Sequence, residues 1–533
     1  MASGSYYNVL IVTFVALGSF TYGFNSAIMG VVIGLPEFFR YFNISLDNNE
    51  GNSITGATNG LYCGGGVFGC IFVPFFLKKY GRKRTIQLGA LVAIISAALQ
   101  SGSVHIAMFL LARFLNGISV GMLNTSIPIF QSEVSLAHER GRMVGTHGVL
   151  VVSGYSAAGF VGYGTYFADQ KVGWRLCLAI QIVAPLLLCL GSPWLPESPR
   201  WLVDKDRSRD GYDVLRKLHQ NDDDPEDHAA KEELYQIVQQ IYLERSEGAP
   251  NSWLTMFQKK SYRKRLFLGF ITQFIAQSTG VLVINNYQVL LYKNLGITGS
   301  LPLALNGVYN GVAAFMNWIN ALILDRVGRI RIMLIGLNTQ TGCALALSCF
   351  TAMVATFGGT ENRTGNAFGV FFLFLFVFFY GGSMDATSYV YCSEIFPTSV
   401  RAQGNGFSVA GLFSATLIYT QVAPTAFAEI GWRYYLVFII TPLIGAIVMW
   451  KFFPETTRLS LEEIAGLFGD DVALDLTHLS PEDKAVLDKN LDEMIADATS
   501  QSPNGLSGAL ILKDNAHRNP DVVHHIAKSE SQV

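Results

Sequence analysis

The sequence predicts an all-α membrane protein of twelve transmembrane helices in two six-helix, pseudo-symmetric lobes, and three observations predict it. The 533 residues are 50% apolar and only 15% charged, with a mean hydropathy of +0.33, whereas a water-soluble domain carries about a quarter charged residues. The apolar residues gather in twelve runs of roughly 20 residues, the length that crosses a hydrocarbon core about 30 Å thick. Three short charged phrases also occur twice in the same order. Tyr80-Gly81-Arg82-Lys83-Arg84 returns as Val327-Gly328-Arg329-Ile330-Arg331, Ser132-Glu133 with Arg140 returns as Ser393-Glu394 with Arg401, and Pro196-Glu197-Ser198 returns as Pro454-Glu455-Thr456. The displacements of 247, 261 and 258 residues are close to half the chain, as in a duplicated membrane domain.

Taken in order, the runs of the first half lie near 9–34, 54–77, 85–104, 106–130, 144–168 and 175–195. Those of the second half lie near 266–292, 301–324, 332–356, 366–391, 403–428 and 433–453. The first run is too long, and too polar at its centre, for a cleaved signal peptide, and reads as a spanning helix. Residues 1–202 thus form the N-terminal lobe, 203–265 a polar cytoplasmic linker with short helices, 266–465 the C-terminal lobe, and 466–533 a largely disordered cytoplasmic tail. Within the linker, the acidic run 221–227 reads as solvated loop, and 229–245 as a helix along the inner membrane surface. Helical patches near 460–468 and 480–497 open the tail.

Basic residues set the orientation. Lys78, Lys79, Arg82, Lys83 and Arg84 follow the second run, Arg140 and Arg142 the fourth, Lys259, Lys260, Arg263, Lys264 and Arg265 precede the seventh, and Arg326, Arg329 and Arg331 follow the eighth. The alternate loops hold single cations such as Arg40, Lys171, Lys293 and Arg363. The positive-inside rule then puts both termini and the linker in the cytoplasm, with the plasma membrane as the expected location. The sequons at Asn43 and Asn362 fall on the outer side as candidate glycosylation sites, while a third at Asn124 is mid-span and unusable.

Charge at membrane depth is costly, so charged groups sit at helix ends or pair within the bundle. Glu133 and Glu394 each end a span, with an arginine seven residues on and a Gly-Arg phrase in the same half. The expected arrangement is a carboxylate–guanidinium latch under each lobe, because arginine pairs are directional. Arg82, Glu133, Arg140, Glu197, Arg200, Asp325, Arg329, Glu394, Arg401 and Glu455 are the gating candidates. Gly64, Gly65, Gly66, Gly69, Gly117 and Gly121 let helices approach closely, mostly as packing, with rocking at a lobe interface as their functional use.

The composition excludes other classes. A net charge of −2 and the lack of a basic stripe with interleaved aromatics give no nucleic-acid footprint. The seven cysteines lie inside apolar runs without metal-site spacing and read as buried free thiols. With no nucleotide loop, metal cluster or nucleophile–base set, the chain reads as no enzyme and needs no cofactor.

The ordered set Arg113-Phe114-Leu115-Asn116-Gly117, Pro196-Glu197-Ser198-Pro199-Arg200-Trp201-Leu202, Ser393-Glu394-Ile395-Phe396-Pro397 and Pro454-Glu455-Thr456 with Leu461-Glu462-Glu463-Ile464 resembles the sugar porter family of the major facilitator superfamily, in its fungal style. The resemblance implies alternating access and a central site lined by spans 1, 4, 5, 7, 8 and 10. It implies a sugar or polyol as the small-molecule partner, with the lipid bilayer as the other. Carried over, it makes Asn25, Arg113, His147, Gln273, Gln277, Asn286, Tyr287, Asp385 and Tyr389 the substrate-binding candidates. The chain departs from the family at several of them. Ala276 and Leu282 replace two amides of span 7, Gly148 stands where span 5 has a glutamine, and span 10 lacks its prolines. Lys78 replaces the aspartate of the first Gly-Arg phrase, which Asp325 keeps in the second. Asn25 stands where proton symporters of the family have an aspartate, and an amide cannot carry a proton. Facilitated diffusion is therefore favoured, with Asp385-coupled proton symport as the alternative, since an intramembrane carboxylate is a functional candidate. An exporter of a small specialised metabolite and a transport-poor nutrient sensor are the other readings of the same scaffold.

Overall fold

The computed structural model describes residues 3–469, apart from 45–48, 136–139, 169, 221–226, 247–255, 338–341, 359, 361, 398–399, 458, 460–463 and 465. Most of the acidic run at 221–227, part of the patch at 460–468 and all of that at 480–497 lie outside the described residues. The described chain is helical throughout and forms two compact units, a bundle of residues 8–196 and 248–472 and a smaller unit built around 197–247.

Among the described residues, ten stretches are long and apolar enough to cross a membrane. Spans 1 to 6 are Tyr6–Ile33, Ser53–Tyr80, Arg82–Ser101, Ile106–Val134, Arg140–Thr165 and Val172–Trp194. Span 7 is Lys260–Asn294, span 8 Leu301–Val327 and span 10 Arg363–Glu394. The tenth stretch, Arg401–Phe452, folds back at Gly431–Tyr434 and so supplies span 11, Arg401–Glu429, and span 12, Tyr435–Phe452. Span 9 comprises the helices Arg329–Leu337 and Cys343–Phe357 on either side of 338–341. Twelve spans result, in the two six-helix lobes that the repeat predicts. The outward faces carry Phe72, Leu190, Ile447 and Trp450 exposed, a surface that lipid suits and water does not.

The repeated phrases fold alike. Gly81 and Gly328 lie between consecutive spans at φ of +89° and +107°, a region that glycine enters without a Cβ penalty. Ser132 and Ser393 each donate their hydroxyl three residues back, to Ile129 and Val390, at 2.8 Å. Glu197 and Glu455 each accept the next residue's amide, at 3.0 and 3.1 Å.

Helix packing corrects one expectation. Gly65 and Gly69 press on the carbonyls of Phe114 and Ile118, while Gly117 and Gly121 press on those of Tyr62 and Gly66. These four glycines join spans 2 and 4 inside one lobe, and of the set only Gly66 meets the other lobe, at the ring of Phe413. Span 4 also has a cap that the sequence did not advertise: His105, exposed, accepts the Ala107 amide on Nδ1 at 3.2 Å.

In the smaller unit, the helix His228–Ser246 buries Ala230, Leu234, Ile237 and Ile241 against Val203 and Leu215. These come from the helices Pro199–Asp204 and Ser208–His219. The apolar residues of this helix thus pack within the unit itself.

Candidate functional site

Midway along the bundle, spans 1, 5, 7, 8 and 10 enclose a cavity of about 20 Å³. Its polar wall is Tyr22, Tyr155, Gln277, Asn285, Tyr309, Asn310, Tyr380, Asp385 and Tyr389, and its apolar wall includes Val151, Val152, Val281, Leu282, Ala313 and Val377. A second cavity of about 10 Å³ shares Tyr22 and Leu282 and adds Ser26, Asn59, Tyr62, Asn286, Thr416 and Thr420. Each holds about one water molecule, so the structure is closed around its centre.

Two helix breaks aim the polar groups. Span 7 is interrupted at Gly280, whose φ of +82° suits glycine, with Gln277 just before the break and Asn285 and Asn286 just after it. Span 10 is interrupted between Arg363–Gly381 and Asp385–Glu394. Span 8 repairs this second break with two asparagines. Asn317 accepts the Ala386 amide at 3.1 Å and donates to Asp385 Oδ2 at 2.9 Å, while Asn320 donates to Thr387 at 3.0 Å and Ser383 O at 3.4 Å. A buried amide with both ends bonded in this way fixes its own orientation.

Of the nine substrate-binding candidates, Gln277, Asp385 and Tyr389 line the first cavity and Asn286 the second. His147 stands behind Tyr389, its ring 4.6 Å from the tyrosine ring. Its Nε2 meets Asn124 Oδ1 at 2.9 Å and its Nδ1 meets Ser19 Oγ at 2.7 Å. The amide oxygen only accepts, so Nε2 carries the proton and the ring ties spans 1, 4 and 5 together. Arg113 and Asn25 are fully buried outside both linings; the guanidinium lies 4.3 Å from the Tyr62 ring centroid and donates to Asn25 O at 3.2 Å. Gln273 is buried a turn before Gln277, and Tyr287 bonds Thr420 O at 3.1 Å and Asn59 at 3.4 Å, on the wall of an outer hollow of about 260 Å³. Sequence reasoning missed Tyr22, Tyr155, Tyr309, Tyr380 and the asparagines of span 8. Asn306, Asn310, Asn317 and Asn320 recur on one helical face of an apolar run, a signal that was available.

Both ends of the bundle are closed. At the basic end Asn405 of span 11 donates to Thr125 O of span 4 at 3.2 Å, and the Asp325 carboxylate packs so tightly on Gly141 that a Cβ there would collide with it. At the other end Ser156 donates to Gly307 O at 2.9 Å, and Lys293 Nζ donates to Gly34 O at 3.3 Å.

The gating candidates form two buried arginine–carboxylate pairs at the basic end. Arg82 meets Glu133 through Nε and Nη2, both at 2.7 Å. Arg329 meets Glu394 through Nε at 3.1 Å and Nη2 at 2.8 Å, and Asp325 at 2.9 Å. Lys78, in the place of that aspartate, is exposed. Arg140 and Arg401 are buried beside these pairs' span ends, Arg401 donating to Phe396 O at 3.3 Å. Glu197 and Arg200 belong to the smaller unit. Glu455 accepts the amides of Arg329 and Ile330 at 2.8 and 3.0 Å. Burial would raise its pKa, but the Thr457 hydroxyl and the amides of Arg329, Thr456 and Ile330 outweigh it and hold the value below the usual 4.5. A carboxylate with a lowered folded-state pKa gives stability that is present above its unfolded value and lost as pH falls through the lowered one. Glu455→Gln is therefore expected to lower the thermal midpoint at neutral pH and to flatten its decline in acid; an unchanged acid limb counts against this anchor.

The comparisons with known proteins agree with this architecture. A family described as "Sugar (and other) transporter" matches residues 11–468. The MFS-type transporter criB of Aspergillus cristatus is 32% identical over 454 residues, covering 85% of this chain and 92% of the relative. The sugar transporter STL1 of Saccharomyces cerevisiae is 28% identical, covering 85% and 81%, and a quinate permease of Neurospora africana 29%, covering 87% and 89%. Among solved structures, the proton:xylose symporter XylE bound to 6-bromo-6-deoxy-D-glucose superposes with a TM-score of 0.74 at 22% identity, covering 87% of this chain and 100% of that one.

Proposed function

The chain belongs to the sugar (and other) transporter family, and from that premise we propose that it moves a sugar or polyol across the membrane by alternating access, as facilitated diffusion. The observation that carries this reading is the central cavity, walled by polar groups of both lobes and shut at both ends. A site that two lobes close can be opened to one side at a time by rocking one lobe against the other. The relatives named for sugar, xylose and quinate transport support a small hydroxylated solute. Facilitated diffusion is supported by Asn25, an amide beside Arg113 that cannot carry a proton. Among the described residues no carboxylate pairs with that arginine.

The buried pairs at the basic end then act as the inner gate. The basic loops support placing that end and both termini in the cytoplasm, with the plasma membrane as the location. Asn43 and Asn362 are exposed at the other end, as glycan acceptors require. Asn362 also caps span 10 with its Oδ1 at 3.1 Å from the Gly365 amide, which leaves its Nδ2 for a glycan. A second reading, export of a less hydroxylated metabolite, is favoured by the six apolar residues on the cavity wall, because a hydroxyl facing them lacks a partner.

Uptake of radiolabelled sugars and polyols in hexose-transport-deficient cells tests the proposal. Saturable uptake of at least one, without accumulation and unchanged by a protonophore, is expected. Gln277→Ala should then raise KM by up to about tenfold, the worth of one hydrogen bond. If no sugar or polyol is taken up or competes, the exporter reading replaces this one.

A further inference from the structure

We propose that Asp385 is a proton-binding site, filled each time the central cavity closes, so that the transporter changes sides only with this carboxyl neutral. Asp385 is the one carboxylate among the residues lining the cavity, and no lysine, arginine or histidine lines it with Asp385. The titratable groups facing the cavity are Tyr22 of span 1, Tyr155 of span 5, Tyr309 of span 8 and Tyr380 and Tyr389 of span 10 itself. Span 7 contributes only amides and apolar groups. His147 is turned away, both ring nitrogens being bonded to Ser19 and Asn124.

The hydrogen bond that Asp385 receives is from a neutral donor. Asn317 must present its NH₂ to Oδ2, because its oxygen is committed to the Ala386 amide. The N-terminus of the helix Asp385–Glu394 adds a partial positive charge of about one half. Neither supplies a full cation, and the cavity has space for about one water. Asp385 is only partly buried, but an ionised carboxylate with space for about one water has lost most of its hydration without gaining a counter-ion, and taking up a proton removes that penalty. When either end opens, water enters and the charged form becomes affordable again.

The sign follows from linkage: the closed state holds more protons than the open one, so closure is favoured as pH falls and opposed as pH rises. A neutral solute does not replace the proton, since its hydroxyls are neutral donors like Asn317. The proton is therefore taken from water on one face and released on the other in the loaded crossing, and carried back in the empty one. Transport becomes pH-dependent without drawing on a proton gradient. The inference rests on the transport reading above for its flux test but not for its spectroscopic one.

The flux test uses the full chain in liposomes with the same pH on both sides. Wild-type exchange of any transported sugar should fall by up to about tenfold per pH unit on the alkaline side. Asp385→Asn, always neutral and nearly isosteric, should lose that slope. A variant whose flux follows the wild-type slope overturns the proposal. The spectroscopic test needs no transported solute. Infrared difference spectra of wild type and Asp385→Asn, purified without sugar and compared from alkaline to mildly acidic pH, should show a protonated carboxylic acid carbonyl band that grows as pH falls in the wild type alone. If the wild type lacks that band the proposal fails, whether or not a sugar is carried; if the band is present while no sugar is moved, only the transport reading fails.

Discussion

Glu394→Gln is expected to cost the folded protein about 3 kcal/mol, read as a large fall in the thermal unfolding midpoint in detergent. Breaking a buried pair by removing one partner costs about 3–5 kcal/mol, because the remaining charge stays buried. The Arg329 side chain is only 5% exposed, so water does little to replace the lost carboxylate. The lower end of the range applies because Asp325, 2.9 Å away and one-third exposed, still neutralises part of the guanidinium. Glutamine also keeps an acceptor for the Thr456 hydroxyl, which donates to Glu394 at 3.0 Å. A double variant discriminates charge from packing. Arg329→Leu combined with Glu394→Leu should recover much of the loss, since apolar replacement of a whole buried pair is often neutral or stabilising. If the single variant melts with the wild type, the pair is not the fastener described here.

The parts of the molecule legible in the sequence are those whose physics is local to one segment. Span lengths follow from hydropathy, and the charged phrases follow from the cost of leaving charge anywhere but a helix end. The pairs Arg82–Glu133 and Arg329–Glu394 are therefore where the repeat puts them. Groups whose role depends on a neighbour in another span are less legible. His147 has the same sequence context whether it faces a solute or, as here, Ser19 and Asn124. The asparagines of span 8 show a polar face but not that Asn317 and Asn320 mend a break in span 10. The tyrosine wall is invisible as such, because Tyr22, Tyr155, Tyr309, Tyr380 and Tyr389 come from four spans. The glycines of spans 2 and 4 announce close approach without saying to what, and their partners prove to be each other's backbones.

Gly117 makes the closest of these approaches. Gly117→Ala should destabilise the protein by about 2 kcal/mol, while Gly64→Ala should leave it as stable as wild type or more stable by up to about 1 kcal/mol. At Gly117 a Cβ would collide with the carbonyl oxygen of Tyr62, and at Gly64 nothing lies within 4 Å. A backbone carbonyl cannot rotate aside as a side chain can, so spans 2 and 4 must separate along their whole crossing. Gly65, Gly69 and Gly121 would then lose their contacts as well, together with Tyr62's position beneath Arg113. Alanine's better helix propensity is worth up to about 1 kcal/mol at either position, and overpacking costs about 1–3 kcal/mol, so the collision decides the sign at Gly117 alone. Unfolding midpoints of the two variants, measured side by side in one detergent, check this. Equal stability would mean that spans 2 and 4 do not cross at Gly117.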